Sequence, residues 1–241
     1  MPPKSGGMRR NMSFDFKIFI YHFIELLPYL RTTFFVALSS MFFSLALGAV
    51  TAAGILSRNV LWRGVSKVYV NLMRCVPPIV LLFVVYYGGP ALARSLTGVD
   101  IDSWDAVYFA IIALSLLHGA GMAEMMRGAY QAIDKGQMEA AVGVGLTPIQ
   151  GFYRIVLPQA VAVAVPVLGN ATISMLKDGA LAYSIGVVDI TGQTGYLISM
   201  NLGAYVMETY LALAFIYWLL SLGTKKMFGS LARRLQRGGM R

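Results

Sequence analysis

Four polar residues stand in or beside long apolar stretches of this chain: Arg74, Asn170, Lys177 and Asp178. A charge at membrane depth is costly and marks a functional site by default. Arg74 and Lys177 can each hold a carboxylate by a charge-assisted hydrogen bond, Asp178 can accept from an ammonium, and Asn170 offers both donor and acceptor. A structural arrangement fits the same residues: Lys177 and Asp178 mark an outer interface, and Arg74 pairs internally. Other chemistries find no support. There is no Gly-x-x-x-x-Gly-Lys-Ser/Thr loop, so the chain is not expected to hydrolyse ATP. A single cysteine, Cys75, excludes an internal disulfide and a multi-cysteine metal site. His22 and His118 lack ligand-spaced partners and read as interfacial or packing residues, not metal ligands. The 14 methionines read as packing material.

The elements that must position these groups are membrane helices. Of 241 residues, 57% are hydrophobic and only 13% charged, against roughly 25% charged in a soluble domain. Residues 34–56 carry no charge and are long enough to cross a hydrocarbon core of about 30 Å. Further spans are expected over 68–93, with Arg74, Pro77 and Pro78 inside, and over 106–123, 155–176 and 209–224. Residues 181–188 are apolar but too short to cross, and are expected to dip into the outer face. No cleavable leader pattern precedes residue 34, so the first span is expected to be permanent. The chain thus reads as an all-α integral membrane protein of about five spans. It has an N-terminal segment (1–33), a transmembrane domain (34–224) and a basic tail (225–241). "FDFKIFIYHFIELL" is expected to lie along the interface as an aromatic-rich helix.

Lysine and arginine set the orientation. Arg58, Arg63 and Lys67, then Arg127, Lys135 and Arg154, then Lys225, Lys226, Arg233, Arg234, Arg237 and Arg241 can all share the cytosolic side. Asp100, Asp102, Asp105, Asp189 and Glu208 fall opposite. Five spans then put the N-terminus outside, although Lys4, Arg9, Arg10 and Lys17 favour the other side. The net charge of +9 reflects this loop bias rather than nucleic-acid binding.

A second constellation lies in "GQMEAAVGVGLTPIQGFYRIVLPQA", residues 136–160. Residues 137–144 form a short helix in which Ala140 and Ala141 expose little side chain. Gly145 is placed to stop it, because glycine reaches the left-handed conformation without steric cost. Thr147 then caps a second helix, Pro148 takes its first position, and Gln150 completes a capping box. Small residues on such an elbow (about 136–150) let another backbone approach closely, although a tidy connecting loop would look the same.

"EAAVGVG" followed by "IVLP" resembles the EAA signature of bacterial ATP-binding-cassette (ABC) importer permeases of the type I, MetI-like fold. "EMMRGAYQAIDKGQMEAAVGVGL", "LPQAVAVAVPVLGNATISMLKD" and "YVNLMRCVPPIVLLFVVYYG" resemble the polar amino acid uptake branch of that family. The resemblance runs from about residue 30 to the tail. It implies that Glu139, Ala140, Ala141 and Gly145 belong to a coupling helix that docks on a separate ATPase subunit. That partner would carry ATP and Mg, and this chain would hold no cofactor. It further implies a second permease subunit, identical or homologous, an extracytoplasmic solute-binding protein, and an amino acid substrate held by the four polar residues above. The implied location is the bacterial inner membrane, within its lipid. Departures gather nearer the substrate path. Cys75 and Val76 replace a glycine and a small polar residue, Leu81 a glutamine, and Ala162 an arginine. "KDGAL" stands for Lys-Asp-Thr-Ser-Leu. "ISMLKDGALAYSIGVVDITGQ" leans towards cystine-type members. Pro158 and Pro166 favour bending of the fourth span. The alternatives are an ion-coupled transporter or channel working without an ATPase, against which no inverted repeat is visible, and a membrane sensor scaffold.

Overall fold

The structure, a computed structural model, describes residues 14–238, with side chains described to residue 235. Lys4, Arg9, Arg10 and Arg241 of the orientation argument lie outside the described residues. Helices α1 (Phe16–Leu26) and α2 (Leu30–Leu56) join through a 3-10 turn, and α3 (Val60–Cys75) follows. Helices α4 (Pro78–Phe83) and α5 (Gly89–Thr97) join through a π turn. Then come α6 (Ala106–Gln131), α7 (Lys135–Gly143) and α8 (Pro148–Gly151). A second π turn, Phe152–Val156, leads into α9 (Leu157–Gly179), which ends in a 3-10 turn before α10 (Ile190–Met200) and α11 (Val206–Gly238). Among the described residues there is no strand.

Among the described residues, five helical columns are long and apolar enough to cross a membrane: Phe16–Leu56, Pro78–Thr97, Ala106–Gln131, Pro148–Ile185 and Val206–Leu235. Every span begins or ends beyond the stretch that hydropathy marks. Hydropathy sees only the part facing hydrocarbon, whereas backbone hydrogen bonding carries the helix on into water.

Helix α6 is the centre. Of its apolar window 56% is buried, against 11% for Pro78–Thr97. It packs against α2 along a face where small residues recur every fourth position: Ser40, Ser44, Gly48 and Ala52 are all buried. A side chain at Gly48 would place its Cβ 2.5 Å from Met122 Cβ, so the two backbones lie close. Ser44 donates to the Ser115 carbonyl at 3.3 Å across this contact. Gly54 instead faces α3, tucked under Trp62 and Ser66. Val36, Leu82, Phe109, Ala113, Leu114, Ala182 and Ile185 fill a core shared by α2, α4, α6 and the end of the α9 column.

Two expectations are corrected. Arg74 does not lie inside the second span. Val76 and Pro77 are extended, at ψ 128° and 139°, because a residue before proline is driven out of the helical region. Helix α3 therefore ends at Cys75 with Arg74 in its last turn, and the span starts at Pro78. The short outer element is also not 181–188. Ala180–Ile185 completes the fourth column, and the separate short helix is α10. Asp189 caps α10 by accepting from Thr191 and Gly192 N–H, both at 2.9 Å, and burial pushes its carboxyl up to about 6. The two prolines expected to favour bending stand in the fourth column as the sequence suggests: Pro158 directly after the π turn and Pro166 inside α9.

The aromatic helix α1 has a packed face as well as an outward one. Leu26 is buried with Ile216 and Ala212 of α11, and Phe23 meets Phe215 at 5.8 Å. Thr209 Oγ1 lies 2.8 Å from His22 Nδ1, and Asp15 N–H donates to Glu208 Oε1 at 3.1 Å. Phe16, Tyr21 and Ile24 remain exposed.

Candidate functional site

The elbow closes on itself with short-range bonds. Asp134 caps α7 by accepting from Gly136 N–H at 2.7 Å. At its end, Val144 N–H donates to the Ala140 carbonyl and Leu146 N–H to that of Ala141, both at 3.1 Å. Gly145 takes φ +88°, the left-handed turn that makes this exit possible. Thr147 and Gln150 then form a reciprocal capping box: Thr147 N–H donates to Gln150 Oε1 at 3.0 Å, and Gln150 N–H to Thr147 Oγ1 at 3.3 Å. With its backbone satisfied internally, the elbow keeps its shape while offering side chains outward.

The two alanines part company here. Ala140 is exposed, but Ala141 is 1% exposed, and a Cβ on Gly151 would lie 3.1 Å from it. Ala141 holds α7 on α8; it does not line the outer face. That face carries Glu139, Ala140, Val142, Val144 and Ile149, the last two 78% and 71% exposed. With Val144 and Ile149, large apolar side chains are thus left exposed on a closed elbow. Sequence reasoning passed over both, although β-branched residues beside a glycine stop and in a first helical turn were a usable signal. Gln159 Nε2 donates to Gln137 Oε1 at 3.3 Å, tying the elbow to the base of α9.

The other polar group lies at the far end of α9. Asn170 and Lys177 are both exposed, two helical turns apart on one face. Asp178 turns away from them. Its Oδ2 lies 3.1 Å from His118 Nε2 on α6, a contact of ion-pair range without hydrogen-bond alignment. Pro78, Leu117 and Asp178 line one narrow cleft there. Arg74 does not join this group: it is exposed, within electrostatic reach of Glu124, which sits about 9 Å further along α6 from His118. Glu124 itself pairs with Arg127 at 2.6 Å. The structure thus brings Asp178 to a histidine that spacing alone reads as packing. The missed signal was His118 itself, an ionisable residue deep in an apolar run, as telling as the charges of the fourth span.

Two open cavities lie elsewhere. One, of about 490 Å³, is lined by Ala52, Leu56, Met126, Tyr130, Phe152 and Ala160. The other, of about 640 Å³, is lined by Arg31, Phe34, Phe35, Asp105 and Tyr108. Among the described residues, no group of three or more His, Cys, Asp or Glu is placed to hold a metal ion.

The family described as "Binding-protein-dependent transport system inner membrane component" matches residues 23–237. The "Probable amino-acid permease protein YxeN" of Bacillus subtilis (strain 168) is 37% identical over 208 residues, 86% of this chain and 90% of that protein. The "L-cystine transport system permease protein TcyL" of the same organism is 37% identical over 216 residues, 90% of this chain and 89% of that protein. A solved chain from the "Crystal structure of an amino acid ABC transporter with histidines" superposes with a TM-score of 0.75 at 29% identity, covering 92% of this chain and 100% of that one.

Proposed function

Because the chain belongs to the family of binding-protein-dependent transport system inner membrane components, we propose that it is the permease subunit of an ATP-driven importer of a polar L-amino acid. The coarse statement is that of its relatives, a membrane subunit of an amino acid ABC transporter. The finer reading rests on one observation: the closed elbow and the Lys177–Asp178 pair stand at opposite ends of the single column Pro148–Ile185. At about 1.5 Å per residue that column reaches well beyond a 30 Å hydrocarbon core. A push on the elbow is therefore delivered, through one continuous helical column, to the charges at the other end.

In this reading the elbow docks through Glu139, Ala140, Val144 and Ile149 on an ATPase subunit, and ATP with its Mg is bound and hydrolysed there. Lys177 holds the substrate carboxylate and Asp178 the ammonium; Asn170 adds a hydrogen bond on the face of Lys177. A second permease subunit, identical or related, completes the path, and a solute-binding protein delivers the amino acid from outside. The elbow and tail face the cytosol and the N-terminus faces outward across the inner membrane, following the basic residues. The likeness to TcyL favours a cystine-type substrate.

The test is uptake of labelled L-cystine, and of a panel of the twenty L-amino acids, into vesicles. The vesicles hold the permease assembled with its ATPase and binding-protein partners, and ATP is trapped inside. Uptake of one panel member that stops without ATP or without the ATPase is expected. Uptake by the permease alone, driven by an ion gradient, would establish a secondary transporter instead.

A further inference from the structure

We propose that His118 is a positioning residue: from α6 it holds the Asp178 carboxylate so that its accessible side meets the ammonium of the transported amino acid. The inference rests on the reading of Lys177 and Asp178 as substrate contacts. Its geometric basis is the 3.1 Å approach of His118 Nε2 to Asp178 Oδ2. That nitrogen is buried and makes no hydrogen bond among the described residues, so Asp178 is the group it has been brought to meet. Exposure divides the pair by role. The imidazole is 11% exposed and the carboxylate 31%, so the histidine is the buried partner and the carboxylate keeps an accessible side.

The support is itself fixed. A Cβ on Gly119 would lie 2.8 Å from Tyr69 Oη and 2.9 Å from Leu47, so α2 and α3 press directly on the α6 backbone beside His118. Tyr69 Oη donates to the Leu116 carbonyl at 2.6 Å. Burial pushes that phenol up to about 12, which keeps it a donor. On the other side, Asp178 stands in the last turn of α9, where the helix tightens into the 3-10 turn Ala180–Ile185. A carboxylate at a helix end swings freely unless something holds it, and His118 is the side chain within reach.

Two polar substitutions separate this role from packing. In His118→Gln the amide nitrogen falls near the place of Nε2; in His118→Asn it falls near that of Nδ1, short of Asp178. Maximal uptake is measured in the vesicles described above, with whichever panel amino acid the wild-type complex takes up fastest. Assembly and basal ATP hydrolysis are followed in parallel, and both are expected to hold. His118→Gln is expected to stay within about threefold of wild type and His118→Asn to fall about tenfold, because the polar group that approaches Asp178 is withdrawn. Adding Asp178→Asn to His118→Asn is expected to cost nothing beyond Asp178→Asn alone, because the carboxylate that His118 serves has gone. Equal rates for the Gln and Asn variants, or losses that multiply in the double variant, would overturn the proposal. A wild-type complex that takes up no panel member takes the amino-acid reading down with it; wild-type uptake indifferent to both His118 variants removes this inference alone.

Discussion

The elbow and the far end of α9 belong to one column, and they are built in different ways. In the elbow the bonds that set its shape are local, and Gln137–Gln159 alone among those described ties it to α9. Thr147 answers Gln150, Leu146 answers Ala141, and Asp134 caps the helix two residues on. At the far end the decisive contact joins Asp178 to a residue of another helix, and Pro78 and Leu117 reach the same cleft from elsewhere in the chain. The elbow presents apolar side chains around a rigid turn; the far end presents charges beside a proline break. Under the function proposed above, one end is gripped by a protein and the other holds a small charged molecule. The difference shows that stiffness can be encoded locally, while a polar site within a helical bundle has to be assembled from afar.

The sharpest way to break this comparison is Val144→Asp. Val144 is 78% exposed, so the fold should tolerate the change. An unpaired carboxylate pressed into an apolar docking surface costs about 3–5 kcal/mol, roughly a hundredfold or more in affinity. Co-purification of the ATPase is expected to be lost while the permease alone remains inserted. Retained co-purification would show that this face of the elbow is not the gripped one.

Next in size is Lys177→Met, which keeps most of the stem volume and removes the charge. Loss of one charge-assisted hydrogen bond, about 1.5–3 kcal/mol, should weaken apparent substrate affinity roughly tenfold or more. Basal ATP hydrolysis should persist, because the elbow is untouched. An unchanged half-saturation concentration in well-assembled complex takes Lys177 out of the site.

Smaller effects sharpen the local side. Gly145→Ala meets open space but must adopt φ +88°, a strain of about 1–2 kcal/mol. It should speed hydrogen exchange of the elbow amides while leaving those of α6 unchanged. Gln150→Ala removes one half of the capping box, about 0.5–1.5 kcal/mol, and should show the same pattern more weakly. If either change loosens the far end of α9 as much as the elbow, the two regions are not separately encoded.

The same division explains what could be read in advance. The glycine stop, the threonine cap and the capping box are all patterns within a few residues, and each is found where its sequence pattern places it. The five columns are legible too, because crossing a bilayer imposes length and apolarity on a single segment. Their ends were not, since hydropathy falls where a helix enters water and not where it stops. Arg74 was drawn into a span because the apolar count ran across Val76 and Pro77, where the backbone leaves the helix. The burial of Ala141 could not be told from that of Ala140, because spacing does not tell which side of a short helix meets Gly151. His118 was set aside because it was judged against histidine, cysteine and carboxylate spacings along the chain. Its partner is an aspartate on a different helix.

The π turn Phe152–Val156 carries one residue more than a regular helix needs between the same two flanks. Each residue of an α-helix advances about 100° around its axis. Loss of a single codon in most of the α9 segment would therefore rotate the elbow by about that angle and turn its exposed face aside. Within 152–156 the same loss would turn the wide loop into an ordinary one and leave the flanks in register. Pro158 stands in the way, for its ring needs the Arg154 carbonyl displaced, as the wider turn displaces it. A gene that loses one codon here and changes Pro158 to alanine in the same step should still make a chain whose elbow points as before. This is the one place along the column where its length and its orientation can be altered independently.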